Sequence, residues 1–479
     1  MVPLASPDLL HAELPENPLC LITDDGSSLA PVLAKALIEQ GWSPVILRFS
    51  GISELVKKKR KPFAKEIPLI ELSSSAESEL ESSLKSLTEK RGNIGGFIHL
   101  HPTSSAPAES KLEDGANAFL KQAFLTAKNV CTFLNEAGKS DSSRSHFLAV
   151  TRLDGELGMG SGQFGAVGSG LSGLIKTAGI EWPNVFCRFV DLQPELTADT
   201  GASCILQELL DPDLRIKEVG HSGSGKSGTR RMTVQPKIIR DLTTKNSSKS
   251  LTKKSVFLVS GGARGVTAEC VAKLAQTQPC SFILLGRSTI EDEPEWAKGV
   301  DEDKTKLKQA AMKSLVDSGE KPTPAKVNQL VGKVEAGRDI RKNLERIRNA
   351  GGNVEYVSSD VTDAKKLKTA IAAVVKKIGP VTGIIHGAGV LADKLIEKKT
   401  SDDFDAVCST KINGIDALLK SVNPKKLTHL LLFSSAAGFY GNAGQSDYAV
   451  ANEALNRLSL IHISEPTRPL YISYAVFCL

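Results

Sequence analysis

The clearest hydrophobic pattern of the chain begins at residue 256. Val256-Phe-Leu-Val259 is a continuous apolar run, typical of a strand that is buried on both faces of a parallel sheet. The glycine-rich turn Ser260-Gly-Gly-Ala-Arg-Gly265 follows it, and residues 267–274 then have the periodicity of an amphipathic helix. In such a unit the backbone N–H groups of the turn and the helix N-terminus can hold a pyrophosphate. Strand, turn and helix in this order therefore predict a dinucleotide site.

The first half of the chain repeats part of the pattern of the second half. Gly96-Phe-Ile-His99 is similar to Gly383-Ile-Ile-His386, and the apolar run at 146–152 is similar to the one at 429–435. We therefore predict an α/β fold with two tandem Rossmann-like doubly wound parallel sheets. The alternative is a chance similarity between two ordinary α/β folds.

A polar, basic stretch from Lys245 to Lys254 has no apolar periodicity, as is usual for a linker. The predicted division is a first unit at 1–240, a linker at 241–254, a second unit at 255–457 and a tail at 458–479. Within the second unit, residues 290–349 exceed what one crossover helix needs. Residues 318–324 divide that segment into two charged helical stretches.

Composition narrows the class of protein. With 479 residues, 41% apolar and 24% charged, the chain is an ordinary soluble globular protein of two or three domains. It has neither an 18-residue apolar run nor a secretory signal, which predicts a cytoplasmic protein without a membrane span. Eight cysteines without a Cys-x-x-Cys pair indicate free thiols in the core and no metal. The net charge of +6 is mild, and no aromatic residue interleaves with the basic run at 57–61, so we predict a solvated loop and no nucleic-acid partner.

Four side chains have the spacing that a carbonyl reductase needs. Lys411 lies 37 residues before Tyr448, Ser435 lies 13 residues before it, and Asn452 follows one helical turn later. A phenol has an unperturbed pKa of about 10, and a nearby ammonium favours the phenolate. We predict that Tyr448 is the acid, that Lys411 lowers its pKa and that Ser435 hydrogen-bonds the substrate carbonyl. Spacing alone favours Ser435 over Ser434.

The predicted cofactor is NADPH. The second strand, at 281–286, runs into Arg287, where dinucleotide folds meet the adenosine ribose. Together with Arg264 in the glycine turn, it forms a cationic pair that favours a 2′-phosphate.

At this point the sequence resembles the short-chain dehydrogenase/reductases, and among them the ketoreductase domains of modular polyketide and polyunsaturated fatty acid synthases. Thr267 stands where the third glycine of the turn is usual, and His386 stands where asparagine or alanine is common. The resemblance implies that Asn452 positions a relay water. With the glycine turn, it implies these cofactor contacts: Ser260, Gly261, Gly262, Arg264, Gly265, Val266, Arg287, Asp360, Val361, His386, Gly387, Ala388 and Gly389.

The same resemblance implies the reaction and the partners. NADPH would reduce a carrier-bound 3-oxoacyl thioester to the 3-hydroxyacyl thioester, with acyl carrier protein domains and other synthase domains as partners. Leu391-Ala-Asp393 resembles the motif of ketoreductases that give the D-configured product, so Asp393 is a candidate substrate contact. The segment at 290–349 resembles an insertion of the polyunsaturated fatty acid synthase branch, either a docking element or a solvated helical hairpin.

Counting along the repeat predicts that the first unit is structural. Arg152 falls at the position of Ser435, Gly165 at that of Tyr448 and Ser169 at that of Asn452, whereas Lys128 keeps the spacing of Lys411. Without the phenol, no group can protonate an alkoxide. The corresponding first turn also carries two carboxylates, at residues 24 and 25, which repel a pyrophosphate.

Two other classes of function remain open. Gly220-His-Ser-Gly-Ser-Gly-Lys226-Ser227 fits the phosphate-binding loop of NTPases. However, residues 215–219 alternate like a half-exposed strand and the sequence after the loop predicts a strand, so we favour a hairpin loop without metal or nucleotide. A non-catalytic scaffold fragment is the second alternative.

The last residues of the chain have an unusual sequence. Pro466 and Pro469 interrupt the pattern of the helix that carries Tyr448. Residues 458–479 resemble a translated sequencing adapter, so we expect a tail that is not native, a reductase that would continue beyond Leu458 and weak activity of this chain. The alternative is a genuine divergent terminus.

Overall fold

The computed structural model describes residues 1–9, 15, 18–52, 61–102, 116–139, 143–160, 165–223, 229–236, 251–278, 280–463 and 472–478. They form two sheets, one in each half of the chain. Residues 241–250 of the expected linker and residues 57–60 of the basic run fall outside these residues.

The sheet of the first half has nine strands among the described residues, in the order β1-β9-β8-β7-β6-β5-β2-β3-β4. The strands are β1 Val2–Pro3, β2 Leu19–Thr23, β3 Ser43–Arg48, β4 Leu69–Glu71, β5 Ile94–Leu100, β6 Ser145–Thr151, β7 Val185–Leu192, β8 Glu218–Ser222 and β9 Arg230–Thr233. The helices are α1 Leu29–Glu39, α2 Glu77–Arg91, α3 Ala116–Ala137, α4 Gly170–Glu181 and α5 Ala198–Leu209. Strands β2 to β8 are parallel, and β9 pairs antiparallel with β8 and β1.

The sheet of the second half has six parallel strands, in the order β12-β11-β10-β13-β14-β15. The strands are β10 Val256–Ser260, β11 Ser281–Gly286, β12 Asn353–Ser358, β13 Gly383–His386, β14 His429–Ser435 and β15 Ile472–Cys478. The helices are α6 Gly265–Thr277, α7 Lys304–Asp317, α8 Pro324–Asn349, α9 Ala364–Ile378, α10 Ser401–Cys408, α11 Gly414–Ser421, α12 Ala436–Tyr440 and α13 Ser446–Ile463.

Both sheets have the strand order of dinucleotide-binding folds. In chain order the second sheet reads 3-2-1-4-5-6, and β2 to β7 follow the same order. Strand β10 lies at the centre and every residue of it is buried, as its continuous apolar run predicts. The predicted fold, two tandem α/β units with doubly wound parallel sheets, is confirmed.

The segment between β11 and β12 contains the two predicted helices, α7 and α8. Thr323 caps α8 by accepting the N–H of Lys326, and Pro324 takes the first helical position, where a missing N–H costs nothing. The two helices share a small core of their own that includes Leu307, Ala311 and Val331. The expected division of this segment is confirmed.

The first three residues of the NTPase motif, Gly220 to Ser222, belong to strand β8. Strands β8 and β9 pair antiparallel, so a strand follows the glycine-serine loop where an NTPase needs a helix N-terminus. Lys226 and Ser227 themselves fall outside the described residues. The expectation of a half-exposed strand was wrong, because β8 is buried along its whole length between β7 and β9.

The structure tests the prediction that the cysteines are thiols of the core. Six of the seven cysteines whose side chains are described are buried, but the expectation of core thiols was wrong for Cys270, which lies exposed on α6. Within the described residues no group of side chains could hold a metal ion. No helix among them is long and apolar enough to cross a membrane.

The two halves pack together through α4 and the tyrosine-bearing helix α13. Glycines on α4 allow the two helices to approach closely: a Cβ at Gly173 would lie 2.5 Å from the backbone of Ala449, and one at Gly170 would lie 2.8 Å from the carbonyl oxygen of Val450. A second contact stacks Phe124 on Phe404, with ring centroids 4.7 Å apart. The helix that carries Tyr448 is therefore supported by the first half.

We expect Gly173→Ala to weaken this contact between the halves. The added methyl group meets backbone atoms that cannot rotate away, and overpacking of this kind costs about 1–3 kcal/mol. Gly179→Ala, on the same helix, is the matched control, because its methyl group would lie at an ordinary 3.4 Å from Cys187 Cβ. Urea unfolding of the two variants measures the difference, and equal stabilities would contradict the close contact.

Candidate active site

An open cleft of about 730 Å³ lies at the carboxyl ends of the second sheet. It is located where β10 and β13 diverge to opposite sides, the place where doubly wound sheets bind ligands. Of the predicted cofactor residues, all but Gly262 and His386 line it. Of the predicted catalytic residues, Lys411 and Tyr448 line the cleft, whereas Ser435 and Asn452 do not, and Ser434 lines it in place of Ser435.

The glycine turn approaches the turn after β13 closely. Gly261 has φ +69°, and a Cβ there would lie 2.9 Å from the backbone nitrogen of Ala388. Thr267, where a third glycine was expected, is buried and its side chain packs against Gly387. A side chain at residue 387 would collide with it, so threonine and glycine fit each other here. Gly262 lies beneath the turn, against the side chain of Val259.

Lys411 and Tyr448 meet across the cleft. Lys411 lies in a widened helical turn, Ser409–Asn413, and its side chain is almost fully buried. Its ammonium donates a hydrogen bond to the carbonyl oxygen of Phe433 at 3.0 Å. The same nitrogen lies 5.3 Å from the ring centroid of Tyr448, near the start of α13. The structure therefore places a buried positive charge beside the phenol.

His386 is buried and does not line the cleft. Its Nδ1 lies 2.7 Å from the hydroxyl of Ser260, and its Nε2 lies 2.9 Å from the carbonyl oxygen of Lys411. Burial, and secondarily the charge of Lys411, lowers the pKa of His386 to about 3, so the ring is neutral. A neutral ring can accept at one nitrogen and donate at the other. It therefore ties the glycine turn to the turn that carries Lys411.

The two adjacent serines at the end of β14 face different surroundings. The hydroxyl of Ser434 is buried and donates to the carbonyl oxygen of Asn452 at 3.1 Å. The hydroxyl of Ser435 is partly exposed and accepts the N–H of Ala437 at 3.2 Å, which caps α12. An accepting hydroxyl keeps its own proton available for donation. Ser435 can therefore still donate to a carbonyl, whereas the proton of Ser434 is already engaged.

Asn452 is fully buried one turn after Tyr448. Its amide nitrogen donates to the carbonyl oxygen of Tyr448 at 2.8 Å. Its Oδ1 has no hydrogen-bond partner within the described part of the chain. An unpaired buried acceptor favours a bound water.

Charged groups surround the outer part of the cleft. Arg287 and Asp360 both line it, and Asp360 accepts both the N–H and the hydroxyl of Thr362. These bonds, with the charge of Arg287, lower the pKa of Asp360. Arg264 lies 3.5 Å from Asp339, and both side chains are about half exposed. The ion pair is therefore weak and leaves the guanidinium available to a phosphate.

Asp393 lies outside the residues that line the cleft. Both of its carboxylate oxygens accept from the side-chain amide of Gln445, at 3.2 and 3.1 Å. Tyr448 follows Gln445 by three residues, so Asp393 lies near the approach to Tyr448.

Three residues that hold the site in place have no signal in the sequence. The amide nitrogen of Asn343, on α8, donates to the carbonyl oxygen of Ala263 in the glycine turn at 3.0 Å. Lys399 is fully buried and pairs with Asp447 at 2.9 Å, directly before Tyr448. Buried unpaired charges are costly, so each of these two charges requires the other. Spacing rules did not find them because they act on backbone and neighbours, not on ligands.

The first half has the same framework but different chemistry. Thr23 and His99 repeat the contact between Ser260 and His386, with 3.2 Å from hydroxyl to Nδ1. Lys128, however, pairs with Glu77 at 2.5 Å, and the first turn carries Asp24, which is paired with Arg48 at 2.7 Å.

The fold and the cleft define a nicotinamide-type reductase unit, and comparison with known proteins gives its family. Residues 255–468 match the family model of the KR domain, so this part of the chain belongs to the ketoreductase family. Over 476 residues the chain is 36% identical to a polyunsaturated fatty acid synthase subunit of Thraustochytrium sp., a match that covers 96% of this chain but 16% of that protein. Polyketide synthase PksN of Bacillus subtilis is 25% identical over 285 residues, 59% of this chain and 4% of that one.

Solved structures have the same fold. A crystal structure of an N-terminal ketoreductase from the macrolactin assembly line matches with a TM-score of 0.64 and 17% identity, over 95% of this chain and 78% of that one. A structure of A-type ketoreductases from a modular polyketide synthase matches with a TM-score of 0.61 and 20% identity, over 99% of this chain and 81% of that one. Both of these structures share the fold of the two halves of this chain. Because the chain spans only a small part of its curated relatives, the activity of a whole synthase stays a proposal here.

Proposed function

We propose that the second half reduces a carrier-bound 3-oxoacyl thioester with NADPH, as one domain of a polyunsaturated fatty acid or polyketide-type synthase. The observation that carries the proposal is the buried ammonium of Lys411 at 5.3 Å from the ring of Tyr448, in the cleft that the glycine turn lines. When bound, NADPH supplies a hydride to the β-carbon. The residues of the chain supply the proton and the binding of the developing charge.

The cleft fits a dinucleotide. The start of α6 has no side-chain cap among the described residues, so its first backbone N–H groups are open to a pyrophosphate. Arg264 and Arg287 are the candidate contacts of a 2′-phosphate, and Asp360 and Val361 are those of the adenine. Gly387, Ala388 and Gly389 line the inner end, beside Lys411.

Each catalytic residue has a separate part in the proposed mechanism. Tyr448 donates its phenolic proton to the oxygen of the substrate as negative charge develops there. The charge of Lys411 stabilises the phenolate that remains. Ser435 donates a hydrogen bond to the same carbonyl oxygen, keeps its proton and orients the carbonyl. The unpaired Oδ1 of Asn452 holds the water that returns a proton to the tyrosine.

In the first half, the paired carboxylate of Asp24 and the absence of a phenol at position 165 support a structural role. The proposed partners are acyl carrier protein domains and the other domains of the synthase. The proposed product has the D configuration, with Asp393 as a substrate contact.

The test is to mix the 479-residue chain with NADPH and a short 3-oxoacyl thioester and to follow the absorbance of NADPH. A fall in this absorbance that depends on the thioester supports the proposal. A pure scaffold fragment predicts neither binding of NADPH nor its oxidation. ATP-dependent binding that Lys226→Ala abolishes would favour the NTPase alternative.

We expect Arg287→Ala to weaken NADPH binding and to leave NADH binding unchanged. A charge-assisted bond to the 2′-phosphate contributes roughly 1.5–3 kcal/mol, so its loss raises the Kd for NADPH about 10- to 100-fold. Fluorescence titration of the two nucleotides measures this ratio without any turnover. Arg215→Ala, at a 90% exposed guanidinium in the first half, is the control. An equal loss for both nucleotides would show that Arg287 does not read the 2′-phosphate.

A further inference from the structure

Two segments of the second half meet in front of the tyrosine helix. The first, Leu391–Lys399, follows the turn after β13 and includes Leu391 at the cleft wall. The second, Gly441–Asp447, leads directly into Tyr448. The N–H of Lys394 donates to the carbonyl oxygen of Gly444 at 2.9 Å, so the backbones of the two segments are in contact.

Side chains of the second half add further links between these segments. Gln445 donates to both carboxylate oxygens of Asp393. Lys399 donates to the carbonyl oxygen of Ala392 and pairs with Asp447. Asp447 in turn accepts the N–H of Tyr448 at 2.8 Å. The position of one segment therefore affects the position of the other and the start of α13.

A carboxylate from the first half binds both segments at once. Glu181 is the last residue of α4, and its Oε2 accepts the N–H of Ile396 at 2.7 Å. Its Oε1 accepts the N–H of Gly444 at 2.8 Å. One side chain thus satisfies a backbone donor in each segment, and it belongs to the half that lacks the catalytic residues.

Local preferences do not explain an acidic residue at this position. The C-terminal end of a helix carries partial negative charge, so a carboxylate there is locally unfavourable. Partial burial also raises the pKa of Glu181, which the two N–H donors oppose. The two charge-assisted hydrogen bonds offset this cost, because such bonds are roughly twice as strong as neutral ones.

We propose that Glu181 is a positioning residue of the reductase: it sets the spacing of the Leu391–Lys399 and Gly441–Asp447 segments and so holds Tyr448 and Asp393 in register for the substrate. The kinetic part of this inference rests on the proposed function. The geometric part, that Glu181 holds both segments, does not.

Glu181→Gln is the sharpest variant. The amide has the shape of the carboxylate but only one acceptor oxygen, so its NH₂ group must face one of the two N–H donors. We expect faster amide hydrogen exchange in both segments, together with a kcat lowered roughly ten- to a hundredfold, since small misplacements of reacting groups have effects of this size. The Kd for NADPH stays near that of the unsubstituted chain, and the urea midpoint falls slightly because one hydrogen bond is lost.

Glu397→Gln is the matched control. It removes the same charge one residue from Ile396, on an exposed side chain whose ion pair with Lys398 is 3.9 Å long. It leaves exchange in both segments and kcat unchanged.

Three outcomes of these experiments decide whether Glu181 is a positioning residue. Unchanged exchange in the two segments, or faster exchange with an unchanged kcat, overturns the proposal. A loss of kcat that is matched by an equal loss of stability assigns Glu181 a purely structural role and also overturns it. If the unsubstituted chain shows no turnover, the reductase proposal fails by itself, and the exchange measurement still decides whether Glu181 holds the two segments.

Discussion

Tyr448→Phe removes NADPH oxidation almost completely while the cofactor still binds. The variant loses only the phenolic proton, which no neighbouring residue supplies, and general acid help of this kind is worth roughly 10²- to 10⁴-fold in rate. The ring keeps its place beside Lys411, so the packing of the ring stays unchanged. Steady-state rates with a 3-oxoacyl thioester measure the loss of turnover. The Kd of NADPH from fluorescence shows whether the cofactor still binds.

Tyr440→Phe is the control for this prediction. Tyr440 lies eight residues earlier, is 63% exposed and makes an edge contact with Phe439. We expect Tyr440→Phe, which also loses a hydroxyl, to leave the rate of NADPH oxidation unchanged. A Tyr448→Phe chain with the turnover of the unsubstituted chain would mean that another group donates the proton, and the proposed mechanism would be wrong.

Ser435→Ala lowers kcat by about 10²- to 10³-fold, the usual effect of removing one donor from a developing oxyanion. Ser434, and not Ser435, lines the cleft, so the choice of Ser435 rests on its spacing from Tyr448 and on the engagement of its hydroxyl. The proton of Ser434 is engaged with the carbonyl oxygen of Asn452, whereas the hydroxyl of Ser435 accepts from Ala437 and has its proton to give.

Ser434→Ala is the matched neighbour. It removes one buried hydrogen bond, so we expect a loss of stability of about 0.5–1.5 kcal/mol and a kcat within a fewfold of the unsubstituted chain. Urea unfolding and steady-state kinetics on both variants separate the two roles. The reverse pattern, with kcat lost in Ser434→Ala, would move the carbonyl contact to Ser434.

Local pattern was sufficient to predict the architecture and the place of the cleft. The apolar run at 256–259 could only be a buried strand once a glycine turn and a helix followed it, and the structure has β10, the turn and α6 there. The repeat between the halves was also visible, and the hydroxyl-to-histidine contacts of Thr23 and Ser260 show that it extends to side chains.

Sequence reasoning assigned some residues by resemblance whose surroundings it could not know. His386 was expected at the cofactor, but its ring is buried between Ser260 and the carbonyl of Lys411. Motif spacing gives the position of a side chain along the chain, but not the direction in which it points. The same limit applies to Cys270, whose helix turns it outward.

What the sequence by itself determined is the chemistry: a phenol, an ammonium and a hydroxyl at fixed spacings, behind a glycine turn, because these depend on short-range order along the chain. Only the tertiary structure decided how that chemistry is held in place. Glu181 and Gly444 are 263 positions apart and yet share a hydrogen bond. Contacts of this kind arise from the packing of α4 on α13, and no local pattern records which surfaces will meet.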